Sequence, residues 1–196
     1  MSYAARDYHL AAIPEPYQVL GVQLLPLSLH HCILMEACGL SFVSEREEIP
    51  TLEDLSIGVL ICSRHWRDGE FEAYIGSKRC EQDMKRWARK VAKQLGPQEF
   101  LQMNSRFELF HDYIARHSSG PEHWKTSGPS GAGTGAHWTQ CILMASSQFG
   151  YSRQEALHCP LSLLFADYYR YAEANGAVQL MQPHEVEMIK AAKAKA

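Results

Sequence analysis

The chain has 196 residues, 46% of them hydrophobic and 21% charged, with a formal net charge of -3. A chain of this length builds a core without disulfide or metal staples, and one domain is the first expectation. The negative balance argues against a phosphate-binding surface, so nucleic acid is not the expected partner. No apolar run reaches the length of a membrane span.

Residues 1–16, with AIPEPY near their end, read as an extended N-terminal arm because two prolines disfavour regular structure. The start MSYAARDYHL has no apolar h-region and does not resemble a signal peptide. From Tyr17, YQVLGVQL alternates and fits a short strand or hairpin. Ser28 is placed to N-cap a helix, LHHCILMEAC, that Gly39 closes. After a charged loop, Thr51 with Asp54 three residues on begins a second helix. Leu52, Leu55, Ile57, Val59, Leu60 and Ile61 make it apolar almost all round, as a helix deep in a core should be. The stretch SRHWRDGEFEAYIG reads as a connection punctuated by Gly69 and Gly76.

The clearest helical spacing runs from Ser77 to Leu95, where Cys80, Met84, Trp87, Val91 and Leu95 form a stripe among seven basic residues. That basic face could touch phosphates or an acidic partner, but charge runs on helices usually just face water. The next helix carries Phe100, Met103, Phe107, Phe110 and Ile114. Residues 118–136 are rich in Gly, Ser and Pro and predict a flexible loop. A helix from His137 to Gly150 follows.

Then come two helices in tandem within GYSRQEALHCPLSLLFADYYRYAEANG. Ser152 and Glu155 form a capping-box pattern, Pro160 separates the helices, and Gly176 suits the left-handed position after the second. Leu161, Leu164, Phe165, Tyr168, Tyr169 and Ala172 make the second helix's buried stripe. A C-terminal helix from Pro183 ends in lysines. The fold expected is mainly α: a single compact domain of about seven or eight helices with at most a short N-terminal strand or hairpin. Its helical core has two parts, 17–117 and 137–196, joined by the 118–136 loop. Trp87, Val91, Phe107, Phe110, Leu164 and Phe165 are expected to be largely buried.

Motifs for chemistry are sparse. GPSGAGTG, from Gly128 to Gly135, lacks the Lys-Ser/Thr that a phosphate loop needs after its last glycine, and no strand precedes it. Cys62 with His65 and His137 with Cys141 are the pairs with metal-ligand spacing, and four ligands from two such pairs would suit zinc. Nothing in the sequence brings the pairs together, so no metal or other cofactor is expected. The six cysteines, Cys32, Cys38, Cys62, Cys80, Cys141 and Cys159, mostly fall in apolar helical runs and read as free thiols in a reducing cytoplasm. No nucleophile signature such as G-x-S-x-G occurs, so the chain is not expected to be an enzyme.

Two regions carry a family resemblance. One is VLGVQLLPLSLHHCILMEACGLSF followed by LEDLSIGVLICSR, within Val19 to Arg64; the other runs from Phe149 to Gly176. Together they resemble the small helical tail assembly chaperones of tailed bacteriophages and related prophages. The resemblance implies a non-enzymatic, cytoplasmic helical protein (host cytoplasm if phage-encoded). Its partner would be a tape-measure protein, whose long amphipathic helices it keeps soluble during tail morphogenesis. The Gly-rich insertion departs from that family's pattern and leaves a structural, tail-associated role as an alternative. A metal- or thiol-dependent enzyme of a helical class is the rival from another function class. For partner binding the candidate residues are Tyr168, Tyr169 and Tyr171, which spread across and beyond the stripe of their helix. The helix they meet would come from the partner or from another copy of this chain.

Overall fold

A computed structural model describes residues 16–43, 49–67, 69–95, 99–118, 120–121, 123–124 and 137–194. Side chains within these are described except at 90–92, 94–95, 99–103, 123, 137–139, 141 and 183. The expected N-terminal arm up to Glu15 and the GPSGAGTG stretch lie outside the described residues. The fold is mainly α. Nine helices and four short strands occur among the described residues, against the seven or eight helices expected. They divide into two compact units, Pro16–Arg116 and a second beginning at His117, where the sequence suggested one domain in two parts.

The first unit opens with the expected hairpin, β1 (Tyr17–Val19) paired antiparallel with β2 (Val22–Leu24) in the register Val19 to Val22. Leu20 and Gly21 form its turn, both with positive φ, 52° and 73°. That is the primed-turn geometry whose twist matches the strands, and it is strained for leucine. Burial of the Leu20 side chain and a hydrogen bond from Trp87 Nε1 to the Leu20 carbonyl at 3.3 Å hold it there.

Helix α1 (Leu29–Ala37) is N-capped by Ser28 and closed by Gly39 at φ +68°. The bonds from Gly39 to Glu36 and from Leu40 to Met35 complete a Schellman motif, with Leu40 buried beneath it. Helix α2 (Leu52–Cys62) starts at the reciprocal Thr51–Asp54 box. Leu55, Val59, Ile61 and Cys62 are buried, whereas Leu52 faces solvent and Ile57 and Leu60 are half-buried. Gly58 explains how closely α2 is seated: a Cβ there would lie 2.8 Å from two ring carbons of Phe110.

The connection expected next contains a short helix, α3 (Glu70–Ile75), whose start has Gly69 and no side-chain cap. Helix α4 (Lys78–Leu95) follows, with Ser77 Oγ accepting from Cys80 N–H. Helix α5 (Glu99–Ser118) brings Phe110 and Tyr113 into the core. Tyr113 was not in the stripe read from sequence. It is almost fully buried, and its hydroxyl donates to the Leu25 carbonyl at 2.8 Å. The buried face of α5 is therefore rotated from the expected one, and Phe107 is only half-buried, flanked by Phe42 at 6.3 Å. Trp87 is also half-buried rather than enclosed. The Val91 side chain lies outside the described ones.

The second unit holds α6 (His137–Gln148), α7 (Arg153–His158), α8 (Leu161–Ala174) and α9 (Pro183–Lys193). The predicted tandem helices are present: Ser152 and Glu155 cap α7 reciprocally, and Gly176 sits at φ +71° after α8. Residues read as loop supply β3 (His123–Trp124), which pairs antiparallel with β4 (Gln179–Leu180). No described helix is long and apolar enough to cross a membrane.

Candidate functional site

The α8 helix is anchored by Leu161, Leu164 and Ala172, all buried. Phe165, expected in the core, is half-buried. The three tyrosines divide differently from their helical phases. Tyr168, read as part of the buried stripe, is 38% exposed, and Tyr171 is 43% exposed. Tyr169 is half-buried: a Cβ on Gly120 would lie 2.3 Å from Cε2 and 2.8 Å from Cδ2 of its ring, so one edge of the ring sits against the bare backbone of Gly120. The phases failed because the cover on this side comes from Gly120 and from β4, which neighbours α8. Tyr168 meets Tyr169 edge-on at 5.3 Å, and Tyr171 meets Phe149 edge-on at 6.1 Å. Phe149 also contacts Tyr151, whose hydroxyl donates to Asp167 at 2.9 Å. The exposed rings thus sit on a helix whose other contacts are fixed, with Leu143 of neighbouring α6 also 64% exposed.

The two pairs with metal-ligand spacing fall in different units. Cys62 is fully buried beside Tyr113, while His65 is exposed and its ring stacks on His31 at 6.1 Å. His137 and Cys141 belong to the second unit, and their side chains are outside the described ones. No group of three or more metal-capable side chains occurs among the described residues.

Cys32, Cys38, Cys62, Cys80 and Cys159 are free thiols. Burial pushes the Cys62 thiol up to about 12, with a smaller opposing effect from its hydrogen bond with Tyr113, and Cys159 up to about 11, with a smaller opposing effect from its hydrogen bond with Tyr151. Burial also raises Cys38 and Cys80. A nucleophilic cysteine needs the opposite shift, toward thiolate at neutral pH.

The sequence reading missed a constellation around Arg64, just past the end of α2. His31 is the third residue of α1, and its Nδ1 accepts from the Ser28 backbone N–H at 3.3 Å. That leaves the proton on Nε2, which donates to the Arg64 carbonyl at 3.1 Å. Ser28-x-x-His31 thus works as a capping box with histidine where Glu or Gln is usual. The Arg64 side chain lies over Trp66, its guanidinium carbon 3.7 Å from the ring centre, and 4.8 Å from that of Tyr74. Trp66 is buried and donates to the Ile61 carbonyl at 3.0 Å. Tyr74 donates to Asp83 at 2.9 Å, and burial with that carboxylate pushes its hydroxyl up to about 12. Arg64 Nε is closed to solvent and has no acceptor among the described residues. The only sequence signal was the run of arginine and two aromatics at positions 64, 66 and 74, which says nothing until the chain turns back on itself.

No family model, curated protein or solved structure matches the chain.

Proposed function

We propose that this is a non-enzymatic, cytoplasmic interaction protein of tailed-phage or prophage tail assembly, which holds an amphipathic helix of a tape-measure-type partner. The observation that carries this reading is the exposure of Tyr168 and Tyr171 on α8. Both are large amphipathic rings fixed by edge-on neighbours, so little side-chain freedom is lost when they are covered. Tyrosine is enriched at interfaces for this combination of apolar area and a water-tolerant hydroxyl. The sequence resemblance across Val19–Arg64 and Phe149–Gly176 supplies the chemistry of the partner. The raised thiols favour this over a thiol-dependent enzyme.

The test is capture of the long helical protein encoded in the same tail gene cluster, with wild type, Tyr168→Ala and Tyr171→Ala compared side by side. Each substitution should weaken capture by ~1–2 kcal/mol, approaching an interface hot spot. Tyr171→Ala also loses its edge contact with Phe149, so folding should lose ~1 kcal/mol, which a melting curve reads separately. Equal capture by all three proteins would remove this face, and no capture by wild type would remove the reading.

A further inference from the structure

We propose that Arg64 is a preorganised receptor for an oxyanion, a carboxylate or phosphate group presented by a ligand. This stands apart from the tyrosine face, which belongs to the other unit.

The residue is held at both ends. Its carbonyl is fixed by His31, and its side chain is laid against Trp66 and Tyr74, each anchored in turn by its own hydrogen bond. An arginine normally loses much rotamer freedom when it grips a ligand; here that loss has already occurred in folding. What the clamp does not supply is an acceptor. Aromatic faces attract a cation through their quadrupole but take none of the in-plane N–H donors of the guanidinium.

No carboxylate among the described residues pairs with Arg64, and its Nε is sealed without an acceptor. A desolvated donor of this kind is costly, and native structures leave few of them. The described carboxylate that reaches this cluster, Asp83, is already committed. Asp83 accepts from the Tyr74 hydroxyl and lies within 3.9 Å of Arg79 and 3.7 Å of Arg86, while Glu81 pairs with Lys85. Arg64 is half-buried, and its terminal nitrogens are the ones solvent can reach. Those form a planar fork that matches two oxygens of a carboxylate or phosphate.

The neighbourhood also favours an anion's approach. Helix α4, which supplies Asp83, carries seven Lys or Arg (78, 79, 85, 86, 89, 90 and 93) against two acidic residues (81 and 83) in a chain of net charge -3. A locally positive field of this kind raises the concentration of anions at the surface.

The experiment titrates the full 15N-labelled chain with sodium phosphate and, separately, sodium acetate, each against sodium chloride at matched ionic strength. The Trp66 indole N–H is the reporter, because its ring lies under the guanidinium. The expected result is a saturable shift of that signal with at least one oxyanion, the tighter arm naming the ligand group. Arg64→Lys keeps the charge but loses the fork, and should raise the apparent Kd by about tenfold; Arg64→Met should abolish saturation. The inference is overturned if neither oxyanion exceeds chloride, if shifts centre on Arg79 and Arg86 and spare Trp66, or if Kd is unchanged in both variants. Should the variants fail to fold, the wild-type Trp66 signal decides alone.

Discussion

Gly58→Ala isolates how tightly α2 is seated on the core. The new methyl group would stand 2.8 Å from Cε1 and Cζ of Phe110 and 3.7 Å from a methyl of Leu40. Carbon atoms pack best at roughly 3.5–4.0 Å, so the ring would have to withdraw by about 1 Å. It has little room to do so. Phe42 meets it edge-on at 4.9 Å, and Tyr113 stacks at 5.7 Å with its hydroxyl tied to the Leu25 carbonyl. Overpacking of this kind costs ~1–3 kcal/mol, and alanine's better helix propensity returns about 1 kcal/mol. The net loss should be about 1 kcal/mol in chemical denaturation. Gly76→Ala is the control, since a Cβ there meets nothing within 4 Å, and it should be neutral or slightly stabilising. Phe110→Leu in the Gly58→Ala background should recover part of the loss, giving a coupling of ~0.5–1 kcal/mol. If Gly58→Ala is as stable as Gly76→Ala, or the coupling is zero, the close approach of α2 to Phe110 is not what fixes the core.

The Cys62 thiol gives an alkaline limb. Its pKa rises from 9.0 to about 12 on folding, so between those pH values the unfolded chain has released a proton that the native state keeps. Stability conferred by this group is whole below pH 9.0 and is lost as pH rises through about 12; Cys62→Ala should flatten the slope of denaturation midpoint against pH in that window. An unchanged slope would show the thiol is not the titrating group. Trp87→Phe keeps a ring but removes the donor to the strained Leu20 turn, and should cost ~1 kcal/mol with faster amide exchange at Val19 and Val22. Unaltered hairpin protection would show the turn is held by burial of Leu20 alone.

Much of the fold was legible because its signals are local. The Thr51–Asp54 and Ser152–Glu155 boxes lie three residues apart and specify their own geometry, and Gly39 and Gly176 end helices where only a left-handed residue fits easily. Helix α3 was missed because it is only six residues long and begins at a glycine with no capping side chain. The pairing of 123–124 with 179–180 joins segments more than fifty residues apart, inside text whose composition argues for loop. Stripe phases went astray for a related reason. Periodicity identifies a helix, but which edge is covered depends on the element that arrives to cover it. Tyr113 is enclosed because the Leu25 carbonyl is there to take its hydroxyl, and Phe107 is not because its neighbour Phe42 is itself at the half-buried edge.

The candidate sites show the same division more sharply. Tyr168, Tyr169 and Tyr171 were found because tyrosine on an amphipathic helix is conspicuous in one dimension, yet Gly120 and not helical phase decides which ring is free to meet a partner. Arg64 was invisible because none of its determinants is unusual alone. His31 is thirty-three residues earlier, Asp83 nineteen later, and a serine-capped helix with histidine in place of glutamate does not match the usual capping pattern. The physical mark of such a site is a mismatch in its bonding: a cation immobilised by rings that cannot accept its hydrogen bonds, beside a carboxylate already committed elsewhere. That mismatch exists only once the chain has folded, and it separates a receptor awaiting an anion from an ordinary arginine, which would have found its own carboxylate.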